Sequence, residues 1–126
     1  MYDVTSNAYR AKMAQAVAGT GTLPPITTIV VGTGGLDANG NPIVPPGTEA
    51  GLYHQVLSKA APAPTFPTLT TAQFTLTINP ADLPANTQIN EAGLIASDGT
   101  FAEHSTFYSK ATDGTTTLTV QVQMQL

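Results

Sequence analysis

The stretch Ile89-Asn-Glu-Ala-Gly-Leu-Ile-Ala-Ser-Asp-Gly-Thr-Phe-Ala-Glu-His-Ser-Thr-Phe107 reads as two strands joined at Ser97-Asp98-Gly99-Thr100. Asp98-Gly99 is a hairpin signal, because a tight turn needs positive φ and glycine supplies it without a Cβ clash. The first arm, Ala92-Gly93-Leu94-Ile95-Ala96, has no polar side chain on either face. Such an arm needs cover on both sides, which places it in the middle of a sheet. Glu91 lies at the head of that apolar arm. If it is buried and ionised it needs a partner, and Arg10, Lys59 or an orphan amide group would serve. An edge-facing, solvated Glu91 is the alternative.

The composition around this hairpin limits what the chain can be. Its 126 residues suffice for one domain with a real core. Charged residues make up only 10%, against about 25% in ordinary domains. The surface is therefore dressed in Thr, Gln and Asn, as on a β-protein's solvent face or a surface covered by neighbours. The formal charge is -4, and the basic residues number four: Arg10, Lys12, Lys59 and Lys110. That argues against nucleic acid, which needs a face of phosphate-neutralising cations, and against a polybasic membrane anchor. With no cysteine there is no thiolate nucleophile, disulfide framework or Cys-ligated zinc. No apolar run reaches the ~18 residues of a membrane helix. Met1-Tyr-Asp-Val-Thr-Ser lacks a secretory leader's basic and apolar regions, so synthesis and solubility in a cytoplasm are expected.

Taken in order, residues 5–18 form the one good helix. Ser6 or Asn7 can cap it, and Tyr9, Met13, Ala16 and Val17 make an apolar stripe. Gly19 and Leu23-Pro24-Pro25 stop it. Ile26–Val31 is a β-branched strand. Gly32–Gly51 is a long polar loop, of the kind that is usually functional or partner-bound. Leu52–Lys59 is a short turn running into a strand, and Ala60–Thr68, with Pro62, Pro64 and Pro67, is extended linker. Gln73–Asn79 alternates, with Phe74, Leu76 and Ile78 on the buried face. Thr112-Asp113-Gly114-Thr115 is a second turn. The strand over residues 116–126 follows, with Leu118, Val120, Val122, Met124 and Leu126 inward. The expectation is one α+β, mainly β domain over 1–126, with an N-terminal helix on an antiparallel sheet or sandwich of about six strands. Its last three strands should form a meander.

Each candidate for chemistry meets a plainer explanation. Gly32-Thr-Gly-Gly35 follows a strand, as a phosphate loop does. However, Asn39-Gly40, Pro42, Pro45 and Pro46 follow where that motif needs a helix, and no Gly-Lys-Ser/Thr is present. Asp37-Ala-Asn39-Gly40-Asn41 resembles a calcium loop faintly, but its Gly falls at the fourth position and Thr48 at the twelfth. Asx-turn chemistry accounts for it better. His54 and His104 have no second ligand at helical metal spacing. His104 and Glu103, adjacent on a strand, point to opposite faces. His104 and Ser105 lack a nucleophile elbow. Glu49 and Glu91 have the makings of a glycosidase carboxylate pair, yet nothing in the sequence brings them together. No catalytic group, cofactor or metal is assigned.

The order of segments resembles the tail-collar and tail-fibre N-terminal attachment domains of tailed bacteriophages, and related baseplate proteins. The marks are the opening helix over residues 8–18 and the strand ending in Val31-Gly-Thr-Gly-Gly35. A Pro-rich loop then leads to Thr48-Glu-Ala-Gly-Leu-Tyr53. The most specific mark is Ile89-Asn-Glu-Ala-Gly-Leu94 with its Ser97-Asp-Gly99 turn, and Thr115–Leu126 closes the series. Two departures stand out: Ile95 where the family often has an aromatic, and no fibre shaft after Leu126. The resemblance implies a non-enzymatic structural protein of the virion, made in the host cytoplasm. It would be an adaptor in tail or baseplate joining a fibre, baseplate or tail-tube protein to the particle, in several copies, trimers among the candidates. Capsid decoration or neck protein is one alternative; a carbohydrate-binding β-domain is another, though the chain has no Trp. Structural or interaction roles are expected for Gly32, Gly34, Gly35, Asp37, Asn39, Tyr53, Glu91, Gly93, Leu94, Asp98 and Gly99. Particle contacts are expected on the Gly32–Gly51 loop and the strand edges.

Overall fold

A computed structural model describes all residues, 1–126, as a mainly β sandwich of two antiparallel sheets with one helix. The strands are β1 (Tyr2–Thr5), β2 (Ile26–Gly32), β3 (Gln55–Ala60), β4 (Thr65–Thr68), β5 (Thr71–Ile78), β6 (Gln88–Ala96), β7 (Phe101–Ala111) and β8 (Leu118–Gln125); helix α1 is Asn7–Val17. The larger sheet runs β1-β7-β6-β2-β3 and the smaller β4-β5-β8. The apolar arm is thus the third strand of five. Ala92, Leu94 and Ala96 of β6 meet Ile29 and Val31 of β2, Phe74, Leu76 and Ile78 of β5, and Val120, Val122 and Met124 of β8 in one core.

The hairpin lies where the sequence puts it. Gly99 takes φ +90°, and Asp98 Oδ1 accepts the Thr100 amide at 3.0 Å. That bond, with Lys12 at 3.0 Å, lowers the Asp98 carboxyl to about 2. Gly93 is glycine because its neighbour needs the space: a Cβ there would stand 2.5 Å from Phe101 Cε1.

Five expectations need correction. The last three strands form no meander, because β8 pairs with β5 along its whole length and not with β7. The far edge of β7 is already taken by β1, with Tyr2 opposite Thr106 and Thr5 opposite Glu103. The helix begins at Asn7, after a strand, with Ser6 as N-cap accepting the Tyr9 amide at 3.1 Å. Its stripe is shorter than expected: Tyr9 is buried, but Val17 is 90% exposed. At eight residues on, Val17 sits roughly 80° around the helix from Tyr9. Leu126, expected inward, is exposed. There are eight strands where about six were expected; the two extra, β1 and β4, are four residues each.

Candidate functional site: a carboxylate cradle under the long loop

Bulges in the β6–β7 and β2–β3 ladders set the outer face of the larger sheet. On it stand Glu91, Gly93, His104, Thr106, Val30 and Gly32, paired side by side across β2, β6 and β7. The loop from Thr33 to His54 folds down over this face. The larger sheet is therefore covered twice, by the smaller sheet on one side and by loop on the other.

Glu91 is the centre of that contact and is fully buried. Its Oε2 accepts the amides of Gly34 at 2.9 Å and His54 at 2.8 Å. Its Oε1 accepts the Tyr53 amide at 3.0 Å and lies 2.9 Å from His104 Nε2. The other ring nitrogen of His104, Nδ1, is 2.9 Å from Glu49 Oε2. Glu49 Oε1 accepts the amides of Gly47 and Thr48, at 2.8 and 3.2 Å. Neighbouring bonds extend the seam: Gly35 N–H to Asn90 Oδ1 at 2.7 Å, Thr106 Oγ1 to the Ile43 carbonyl at 2.6 Å, and Asn7 N–H to the Gly47 carbonyl at 2.8 Å. The Tyr53 ring lies over His104, centroids 4.9 Å apart, and Phe101 meets its edge at 5.5 Å.

The protonation state follows from this geometry. With Glu91 and Glu49 ionised, each nitrogen of His104 faces a group that can only accept, so both nitrogens carry hydrogen and the ring is an imidazolium. Burial opposes its charge, but the bonds to Glu91 and Glu49 outweigh burial and raise its pKa. Burial likewise opposes ionisation of Glu91 and Glu49. The His104 bond and the backbone amides hold both carboxyls below the ordinary value. Two carboxylates and one imidazolium leave one negative charge, spread over five amide donors.

The glycines of Gly32-Thr-Gly-Gly35 exist for this cradle. A Cβ on Gly34 would lie 2.8 Å from Tyr53 Cβ and 3.0 Å from Glu91 Oε2; one on Gly32 would strike the His54 carbonyl and one on Gly35 the Asn90 carbonyl. The segment that looks like a phosphate loop does bind an anion, and the anion is the protein's own Glu91. Of the three partners open to Glu91, the amides are the ones used, joined by His104, which was not among them. Arg10 instead donates to the Thr5 carbonyl, and Lys59 pairs with Asp82.

The remaining candidate residues fall elsewhere. Asp37 Oδ1 accepts the amides of Asn39 and Asn41 at 2.9 and 3.0 Å, an exposed Asx turn with Gly40 at φ +79°. Leu94 is core. Ser105 points away from His104, and its Oγ is buried without a partner. Glu49 and Glu91 do meet, through His104, but every oxygen of both is engaged and their side chains are 8% and 0% exposed. Two features went unseen in the sequence. Thr33 Oγ1 lies 2.6 Å from His54 Nδ1 on the surface. Glu103, on the opposite face from His104, is 1% exposed and accepts Thr5 Oγ1 at 2.7 Å. Burial pushes the Glu103 carboxyl up to about 7.

Comparison with protein-family models, characterised proteins and solved structures yields no match.

Proposed function

We propose that the chain is a non-enzymatic structural protein of a phage virion, an adaptor of the tail or baseplate that works through protein–protein contacts. The observation that carries this is the convergence of the family-like marks on one structural device. Gly32–Gly35, Glu49, Tyr53 and Glu91, all within the segments of the resemblance, come from three separate stretches and meet in the cradle. The device spends all its hydrogen-bonding capacity on fixing a long loop to a sheet, which suits a protein whose product is a shaped surface. Fixed in this way, the Gly32–Gly51 loop offers Val44 and the turn at Asp37–Asn41 to a neighbour without an ordering cost at binding. Its partners are other virion proteins, and itself. Peptide mass spectrometry of purified particles tests the proposal: the chain should appear at constant stoichiometry with tail proteins, and its absence from particles refutes it.

A further inference from the structure

Exposed sheet edges template pairing with other chains, and proteins blunt them with short strands, charge, proline or bulges. Three of the four edges here are blunted. Strand β1 has four residues and carries Asp3. Strand β3 carries Lys59 and is paired through a register shift. Strand β4 has four residues, contains Pro67 and is also out of register. Strand β8 has none of these. Its eight residues, Leu-Thr-Val-Gln-Val-Gln-Met-Gln, hold one register against β5 throughout and bear no charge, proline or glycine.

The direction of its free backbone groups can be worked out. The Leu126 amide donates to the Thr70 carbonyl at 2.9 Å, and bonded and non-bonded pairs alternate along an antiparallel ladder. Leu118, Val120, Val122 and Met124 therefore bond to β5. The N–H and C=O groups of Thr119, Gln121, Gln123 and Gln125 point outward, where no strand pairs with them. Beyond Gln123 and Gln125 lies a polar cleft of about 270 Å³, shared with Asp3, Thr5, Arg10 and Glu103; β1 lies near this end of β8 but pairs with β7 and not with β8.

We infer that the free edge of β8 pairs with β8 of a second copy, antiparallel about a two-fold axis at Val122. A two-fold contact must be self-complementary, and Leu118–Leu126 is a palindrome of side-chain type about that residue. Thr119 meets Gln125 of the second copy, Gln121 meets Gln123, Val120 meets Met124, and Leu118 meets Leu126. Each outward amide and carbonyl then finds its bonding partner, since odd-numbered residues face odd-numbered residues. Side chains alike in polarity lie across from each other on the same face. No charge opposes itself. The pairing also covers Leu126, which is 62% exposed in the single chain. The existing Gln123–Gln73 amide bond at 2.7 Å shows the kind of contact the Gln rows make.

The inference deepens the self-association in the proposal above but rests on strand edges alone. Its test is the mass in solution, by sedimentation or light scattering over a concentration series. The expected particle has twice the 13.0 kDa of the chain. Gln121→Lys with Gln123→Lys sets lysine against lysine across the axis and should raise the dimer's Kd roughly tenfold or more, with an unchanged circular dichroism spectrum. A monomer at every concentration, a trimer, or a dimer indifferent to the two lysines overturns the pairing. Absence from virions refutes the particle reading and leaves this one standing; a monomeric mass does the reverse.

Discussion

Replacing Glu91 by Gln changes one atom of a buried side chain and should cost about 4 kcal/mol. In the native cradle four donors point at two oxygens: Gly34 and His54 at one, Tyr53 and His104 at the other. Glutamine offers one oxygen and one NH₂. Whichever way the amide is turned, two donors face a donor. A charge-assisted hydrogen bond is worth about 1.5–3 kcal/mol, and removing one partner of a buried ion pair costs about 3–5 kcal/mol. Two such bonds lost come to about 3–6 kcal/mol, which overlaps the ion-pair range around 4 kcal/mol. Against a typical stability of about 5–15 kcal/mol, that is a large fraction. With a urea m-value of about 2 kcal/mol/M, the unfolding midpoint should fall by roughly 2 M. The loop should also become open to proteolysis between Gly32 and Gly51. A midpoint shift equivalent to less than about 1 kcal/mol would refute the reasoning, because the cradle would then not hold the loop.

Further outcomes follow from the same structure. Gly35→Ala drives a Cβ into the Asn90 carbonyl and should cost several kcal/mol, whereas Gly51→Ala, with nothing within 4 Å, should stay within about 0.5 kcal/mol in urea titrations. His104, whose pKa folding raises, contributes fully below 6.5 and loses its contribution as pH rises through the folded value. Glu49 and Glu91, lowered by folding, contribute above 4.5 and lose it as pH falls. The cradle should therefore be strongest between those values, and pH-dependent chemical denaturation should show stability declining on both sides. Glu103, raised from 4.5 to about 7, costs stability as pH rises through that interval. Glu103→Gln should thus stabilise the chain by about 3 kcal/mol more near pH 8 than near pH 4; a pH-independent effect would refute that. Ser105→Ala removes an unpartnered buried hydroxyl and should be neutral or stabilising by thermal melt.

What the sequence revealed and what it hid divide along the range of the interactions. Local signals were sufficient for Asp98-Gly99, for the doubly covered arm Ala92–Ala96, and for the alternation of Phe74, Leu76 and Ile78. Alternation in the last strand gave its buried face but not its neighbour. Closeness along the chain suggested β7, while a four-residue strand at the other terminus, too short to announce itself, occupies that edge. The cradle was half visible. A carboxylate at the head of an apolar arm reads as needing a partner, whereas the Gly-rich turn without a helix reads as a plain turn. The turn supplies one of the anion's amide donors, Gly34, and Tyr53 and His54 at the far end of the loop supply the others. The separations of 57 positions from Gly34 to Glu91 and of 55 from Glu49 to His104 are spanned only by the tertiary fold.

The central claim is that His104 is a buried imidazolium clamped between Glu91 and Glu49, fixing the long loop to the sheet. Imidazole ¹⁵N chemical shifts near pH 7 test it directly. Both Nδ1 and Nε2 of His104 should carry hydrogen, with slow solvent exchange, and Glu91→Gln should abolish that signature. One protonated and one bare nitrogen in the native protein would contradict the account.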